Sequence, residues 1–225
     1  MIIRPATRED VHTVAALIFS AGPEVYDFIY AARNGDALGY IRFEFQSGRG
    51  YCGHHNIIVA EQDGQVVGAG CFFDGTQLRR LMLGTIANMV LFYGVARVWG
   101  VLLRADELTS IMHTPGDDEV YMSELGVVPA MRSQGIGARI LKAQMDTAQA
   151  AGFRKMSLSV AENNPRAERF YERLGFKFVK LKTFKGRGAE VKVPNARRME
   201  CVLDDRHQST AAFGAHACPS SARVT

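Results

Sequence analysis

The chain has 225 residues, 47% of them hydrophobic and 22% charged, with a net charge of +4. That is globular composition with enough chain to bury a core, and the charge is too mild to argue for nucleic acid or a membrane surface as partner. Cys52, Cys71, Cys201 and Cys218 are far apart and form no C-x-x-C pair, which argues against a zinc site or disulfide framework; the N-terminus has no basic region followed by an apolar run, so the cytoplasm is the expected compartment.

Residues 2–4 read as a short strand. Thr7 and Asp10 have capping-box spacing, and Val11, Val14, Ala15 and Ile18 then recur at helical intervals until Gly22 and Pro23. A second, aromatic-rich helical stretch over 25–32 leads into a loop around 48–53. "NIIVAEQDGQVVGAGCFF" reads as a hairpin with Asp63 and Gly64 at its turn. The apolar stretch 81–103 reaches membrane-spanning length, but Arg97 lies inside it, Gly84, Gly94 and Gly100 punctuate it, and strand-like segments flank it on both sides. It is expected as two buried or interface helices, with membrane contact the lesser reading.

"VYMSELGVV" reads as a buried strand running into the turn of "MRSQGIGARILKAQ". Ile136, Ile140, Ala143 and Ala148 then share one helical face, with Gly152 as the stop. "KMSLSV" alternates as a strand. Asn164 and Pro165 open a helix carrying Ala167, Phe170, Tyr171 and Leu174 at i, i+3, i+4 and i+7, closed by Gly175. "FKFVKL" and "RMECVL" are two further strands. From about Asp205 the tail lacks periodicity and is expected to be disordered, leaving a single α/β domain over 1–204 with a mixed sheet.

The glycine turn suggests chemistry. A strand, a tight turn and a helix start leave unpaired N–H groups at the positive end of a helix dipole, which is an anion site suited to diphosphate. Gly135 and Gly137 leave the backbone open to close approach, and Arg132 or Arg139 can add charge. A P-loop would need G-x-x-x-x-G-K-[ST] and a dinucleotide fold G-x-G-x-x-G; neither is present here.

Two segments, "LGVVPAMRSQGIGARIL" and "AENNPRAERFYERLGF", resemble the signatures of the GNAT superfamily of N-acetyltransferases. Arg132, Gly135 and Gly137 match the family's R/Q-x-x-G-x-G/A turn; Asn164, Ala167, Phe170, Tyr171, Gly175 and Phe176 match its second helix. The resemblance is tight over 121–180 and looser over 1–75, while 76–112 lies outside the common core. It implies an α/β fold with a mixed central sheet flanked by helices, and a helical insert before the strand that leads into the glycine turn.

The resemblance implies acetyl-CoA as co-substrate, no metal, and an amine acceptor that is a small molecule or a peptide. The amides of 133–138 (Ser133, Gln134, Gly135, Ile136, Gly137 and Ala138), with Arg132, would hold the pyrophosphate. The strand end at Val127 and Val128 would pair with the pantetheine arm and polarise the thioester carbonyl. Asn164 would contact pantetheine besides capping its helix. Tyr171 is assigned as general acid and Glu124 as general base, against the alternatives of a core ring and a structurally paired carboxylate. Asp117, Asp118 and Glu119 read as a solvated loop able to attract a cationic amine, His113 as a weaker base, and His54 and His55 as loop residues. The insert is expected to shape the acceptor pocket and to contribute to a homodimer. A non-catalytic acyl-CoA-binding domain remains the alternative function.

Overall fold

Alternation along 57–74 sends Ile57, Val59, Ala69 and Cys71 to one face of a sheet and Ala60, Val67 and Phe72 to the other, so the sheet must be covered on both sides. The computed structural model describes residues 1–31, 36–186 and 193–203. Seven strands, β1 (Ile2–Pro5), β2 (Ile57–Gln62), β3 (Gln65–Asp74), β4 (Glu119–Val127), β5 (Lys155–Ala161), β6 (Lys177–Lys182) and β7 (Ala196–Val202), lie in the order β1, β2, β3, β4, β5, β7, β6. Only β4 and β5 are parallel. This is the α/β mixed sheet that the sequence predicts. The expected tail from Asp205 lies outside the described residues.

Helices α1 (Val11–Ala21), α2 (Pro23–Tyr30) and α3 (Ala37–Ser47) cover one face. Helices α6 (Ile136–Ala150) and α7 (Pro165–Arg173) cover the other. The hairpin turn is as expected, with Asp63 and Gly64 both left-handed at φ 53° and 74°. Asn164 caps α7 by accepting a hydrogen bond from the Ala167 N–H at 3.1 Å.

Helix α3 is absent from the sequence reading. Its signals are nonetheless regular: Ala37, Tyr40, Ile41 and Phe45 are buried at helical spacing, and Gly48 ends the helix at φ 70°. The insert forms α4 (Leu78–Tyr93) and α5 (Val95–Glu107) packed on α2 and α3. Its inner positions Leu81, Met89, Val98 and Val101 are buried, while Leu83, Leu91, Val95, Trp99 and Leu103 face outward. Among the described residues, no helix is long and apolar enough to cross a membrane.

Two features of β4 position the site. Its pairing with β3 jumps from Cys71–Glu124 to Phe72–Met122, so Ser123 is an extra residue, a β-bulge. Its pairing with β5 ends at Met122–Leu158. Beyond that point the two strands part, and their facing edges are unpaired with each other.

Packing keeps β4 fixed past the bulge. A Cβ added to Gly126 would lie 2.7 Å from the Leu17 carbonyl oxygen of α1 and 3.0 Å from the Leu17 Cβ. Gly126→Ala should therefore push α1 off the sheet and cost about 1–3 kcal/mol in urea denaturation. Gly137→Ala, whose Cβ would meet only Leu125, Phe170 and Val127 at 3.5–3.7 Å, should be neutral or gain up to about 1 kcal/mol in the same assay.

Candidate active site

The parting of β4 and β5 opens a cleft of about 690 Å³ with the glycine turn at its rim. Ser133 and Gly135 are both left-handed there, at φ 65° and 78°, and Gly135 is the N-cap of α6. The turn therefore presents the unpaired first amides of α6 as a concave donor surface. Arg132 donates from Nε to the Val127 carbonyl at 3.2 Å, and Arg166 reaches from α7 to Ser133 Oγ at 3.2 Å. With Arg173 also in the wall, the mouth is cationic.

The structure brings together ten of the twelve residues singled out from sequence: Glu124, Val127, Arg132, Ser133, Gly135, Ile136, Gly137, Ala138, Asn164 and Tyr171 all line this cleft. Val128 and Gln134 do not. The Val128 N–H is committed to the Val67 carbonyl at 3.0 Å, and the Gln134 side chain turns back to the Ala130 carbonyl at 3.5 Å. Because successive residues of a strand point to opposite edges, the amide of Val127 faces the open gap. Of this valine pair, it is the Val127 amide that is left on the side of the gap. Arg139 lies outside the cleft wall.

Tyr171 is 8% exposed, its ring set edge-on against Phe170 at 5.1 Å and near Phe176 at 6.0 Å. Among the described residues, its hydroxyl has no hydrogen-bond partner. Burial, helped by the nearby Tyr121, pushes its pKa well above the ordinary value. The hydroxyl therefore keeps its proton and has no competing acceptor.

Glu124 lies on the opposite wall, partly buried just past the bulge. The Tyr26 hydroxyl donates to Oε1 at 2.7 Å and the Ser123 hydroxyl to Oε2. Burial raises the Glu124 pKa above the usual carboxylate range, against the hydrogen bonds from Ser123 and Tyr26 that lower it. Burial thus makes it a better proton acceptor than an exposed carboxylate.

Glu124 also borders a second cavity of about 560 Å³ on the other side of the strand gap. Tyr26, Tyr30, Tyr51, Phe73 and Tyr121 line it, and the insert supplies Leu78, Leu108, Ile111 and Met112 to its wall. The two cavities share Ser123, Glu124, Ser159 and Asn164. A donor and an acceptor bound in these cavities would meet at Glu124.

The other acidic candidates divide differently. Glu119 is 1% exposed and bonded to His113 Nε2 at 2.7 Å, to Ser157, to the Gly116 N–H at 3.1 Å and to Arg198 at 3.2 Å. Burial works to raise its pKa, but the bonds from His113, Ser157 and Gly116 outweigh it and bring the carboxyl down to about 2. Glu119 is thus held in a buried network rather than in a solvated loop, and His113, read as a weaker base, is tied to that carboxylate. Asp117 and Asp118 remain on the surface. His54 is a structural residue, its Nδ1 2.8 Å from the Phe45 carbonyl.

Glu44 on α3 and Tyr26 on α2 are the site residues that the sequence reading misses. Glu44 is 0% exposed, yet it occupies a core position between Tyr40 and Phe45. A charge on an apolar helical stripe is the signal that finds it. Thr85 of α4 donates to its Oε1 at 2.5 Å and Tyr40 at 3.4 Å, while Oε2 is buried without a hydrogen bond. Burial pushes the Glu44 pKa up to about 7, the bonds from Thr85 and Asn88 opposing it.

The family model of the Acetyltransferase (GNAT) family matches residues 49–176. Uncharacterized N-acetyltransferases of Mycobacterium bovis and Mycobacterium tuberculosis are 35% identical over 71 residues, which are 31% of this chain and 46% of theirs. The chain thus spans about half the length of these curated relatives. N-alpha-acetyltransferase 50 of Danio rerio is 27% identical over 129 residues, 57% of this chain and 73% of that one. Among solved structures, an acetyltransferase superposes with a TM-score of 0.64 at 20% identity over 91% of this chain and all of that one. An N-acetyltransferase from Staphylococcus aureus does so with a TM-score of 0.62 at 18% identity, over 89% of this chain and all of that one. These two structures share the fold.

The buried carboxyl of Glu44 gives a pH test. Its folded pKa of about 7 exceeds the ordinary 4.5, so the folded chain holds the extra proton between those values and loses stability as pH rises through that window. Glu44→Gln should remove this loss, gaining about 3 kcal/mol over the parent between pH 5 and pH 8 in urea denaturation. Parallel curves for the two proteins would show that Glu44 titrates normally.

Proposed function

Because the chain belongs to the acetyltransferase (GNAT) family, we propose that it is an acetyl-CoA-dependent N-acetyltransferase acting on a primary amine by direct attack in a ternary complex. One observation carries this reading: two cavities meet in the gap between β4 and β5, with a partnered carboxylate, Glu124, on one wall and an unpartnered phenol, Tyr171, on another. The Mycobacterium and Danio rerio relatives are named as N-acetyltransferases, which agrees with it.

The residues fit the donor. Its diphosphate is matched by the free amides that follow Ser133 and by Arg132 and Arg166. The amides of its pantetheine arm are matched by the unpaired edges of β4 past Met122 and β5 past Leu158. Acetyl-CoA supplies the activated acetyl thioester when bound. The acceptor reaches the gap from the aromatic cavity, where Glu124 takes a proton from its ammonium group and frees the nitrogen lone pair for attack on the acetyl carbon. The Val127 N–H steadies the charge that develops on the acetyl oxygen. As the C–S bond breaks, the Tyr171 hydroxyl protonates the departing sulfur, and the attached nitrogen releases its second proton, which restores the tyrosine through solvent, leaving an amide and free CoA thiol.

Thiol release from acetyl-CoA across a panel of diamines, amino acids, aminoglycosides and peptide N-termini tests the reading. Tyr171→Phe keeps the packed ring and removes the proton donor, so turnover should fall about 10²–10⁴-fold with little change in donor affinity. Glu124→Gln should lower the rate and abolish its rise on the acid side, because that limb reports deprotonation of a carboxyl already lifted above the usual range. Tight acetyl-CoA binding without turnover on any amine would favour the non-catalytic binding domain.

A further inference from the structure

The helical hairpin of α4 and α5 has two unlike sides. Its inner side packs on α2 and α3. On its outer side Leu83, Ala87 and Leu91 form a row along α4, and Val95, Trp99 and Leu103 a row along α5, each repeating every four residues. Leu91, Val95, Trp99 and Leu103 are 71%, 72%, 66% and 67% exposed. Large apolar side chains this open on successive turns form a continuous patch, and such patches mark contact surfaces.

Charge indicates what the contact is made with. From Leu78 to Leu103 the hairpin carries three arginines, Arg79, Arg80 and Arg97, and no acidic residue. All three are exposed and, among the described residues, none of them forms an ion pair. Arg49 is exposed beside them, its Cβ 3.3 Å from where a Cβ on Gly84 of α4 would lie. Asp106 and Glu107 come only at the end of α5. The net charge of +4 is mild for the whole chain, but this acid-free run makes the face locally cationic. Two copies joined through it would set arginines against arginines with no carboxylate to pair them.

We propose that the outer face of this helical hairpin docks on an anionic lipid surface. The arginines meet lipid phosphates, while the two apolar rows enter the boundary between headgroups and acyl chains. Tryptophan suits that boundary, because its ring is apolar and its N–H needs a polar partner. At 16 and 13 residues the helices lie along the surface and do not cross it. The docking does not depend on the acetyl-transfer reading.

Trp99 is the chain's single tryptophan, so its fluorescence reports on this face directly. The full chain is mixed with vesicles of equal parts phosphatidylglycerol and phosphatidylcholine, with vesicles of phosphatidylcholine alone, and with no lipid. On the anionic vesicles the protein should co-sediment, and Trp99 emission should move to shorter wavelength and be quenched by lipids brominated on their acyl chains. Neutral vesicles should bind at least about 10-fold more weakly, each arginine near an anionic surface being worth about 5-fold. Arg97→Gln should weaken anionic binding about 5-fold and Leu91→Ser about 10-fold, with the urea midpoint unchanged in both. Unshifted Trp99 emission on anionic vesicles, equal binding to neutral ones, or undiminished binding by both variants would each overturn the proposal. A doubled mass in sedimentation equilibrium, with Trp99 shielded before lipid is added, would overturn it too and give the face to a second copy.

Discussion

The extra residue in β4 at Ser123 governs the site. Up to Met122 the strand is paired on both sides; one residue later its register against β3 slips and its partnership with β5 has ended. A bulge twists the strand and re-aims the side chains around it. Both effects are used here. The bend leaves two unpaired strand edges facing a common gap, where a ligand's amides can substitute for a missing strand. The re-aiming places Glu124 within 2.7 Å of the Tyr26 hydroxyl of α2. The bend holds because α1 lies so close behind β4 that only glycine fits at 126.

Charge separation follows from the same geometry. The gap divides the concave space into one side rimmed by arginines and helix amides, the proposed donor side, and another walled by tyrosines and carboxylates, the proposed acceptor side. An anionic ligand and a cationic one are each drawn to their own side, and the strand gap is where they meet. Glu124 borders both and feels neither extreme. Its burial alone would favour the neutral acid strongly, but Ser123 and Tyr26 donate to it and restrain the shift. Glu119, four residues from the bulge where the strand pairs with β5, shows the other outcome, with enough donors to be held ionised down to about pH 2.

What could be read from the sequence, and what could not, divides along local and tertiary lines. The glycine turn, the capped helix at Asn164 and the hairpin at Asp63 and Gly64 are set by backbone preferences of a few adjacent residues, and each lies where the spacing predicts. The end of β4, the turn, the start of α6 and α7 together carry ten of the twelve expected site positions into one cleft, the first three because strand, turn and helix follow one another without interruption. Val128 lies outside the cleft wall because its edge of the strand is decided by pairing with Val67, some sixty residues away, which no local pattern encodes. Helix α3 is obscured by Glu44 inside an otherwise apolar face. Glu44 makes sense only once Thr85 and Asn88 of the insert have been brought beside it.

That dependence changes the meaning of the insert. A segment appended to a common core would cover the site and leave the core's own groups satisfied without it. Here α4 donates to a core carboxylate of α3, and Met89, Val98 and Val101 join the same buried cluster as α1 and α2. Gly84 is pressed against the backbone N–H of Gly50, 2.6 Å from where its Cβ would lie, so the helix and the 48–53 loop are fitted to each other. The floor of the acceptor cavity and the insert therefore form one packed unit. A change in either reaches Glu44, since its hydrogen-bond donors come from Tyr40 of α3 and from Thr85 and Asn88 of α4. The shape and charge of the acceptor side are for this reason properties of this chain's own insert, while the donor side rests on the turn and strand gap that its family signature encodes.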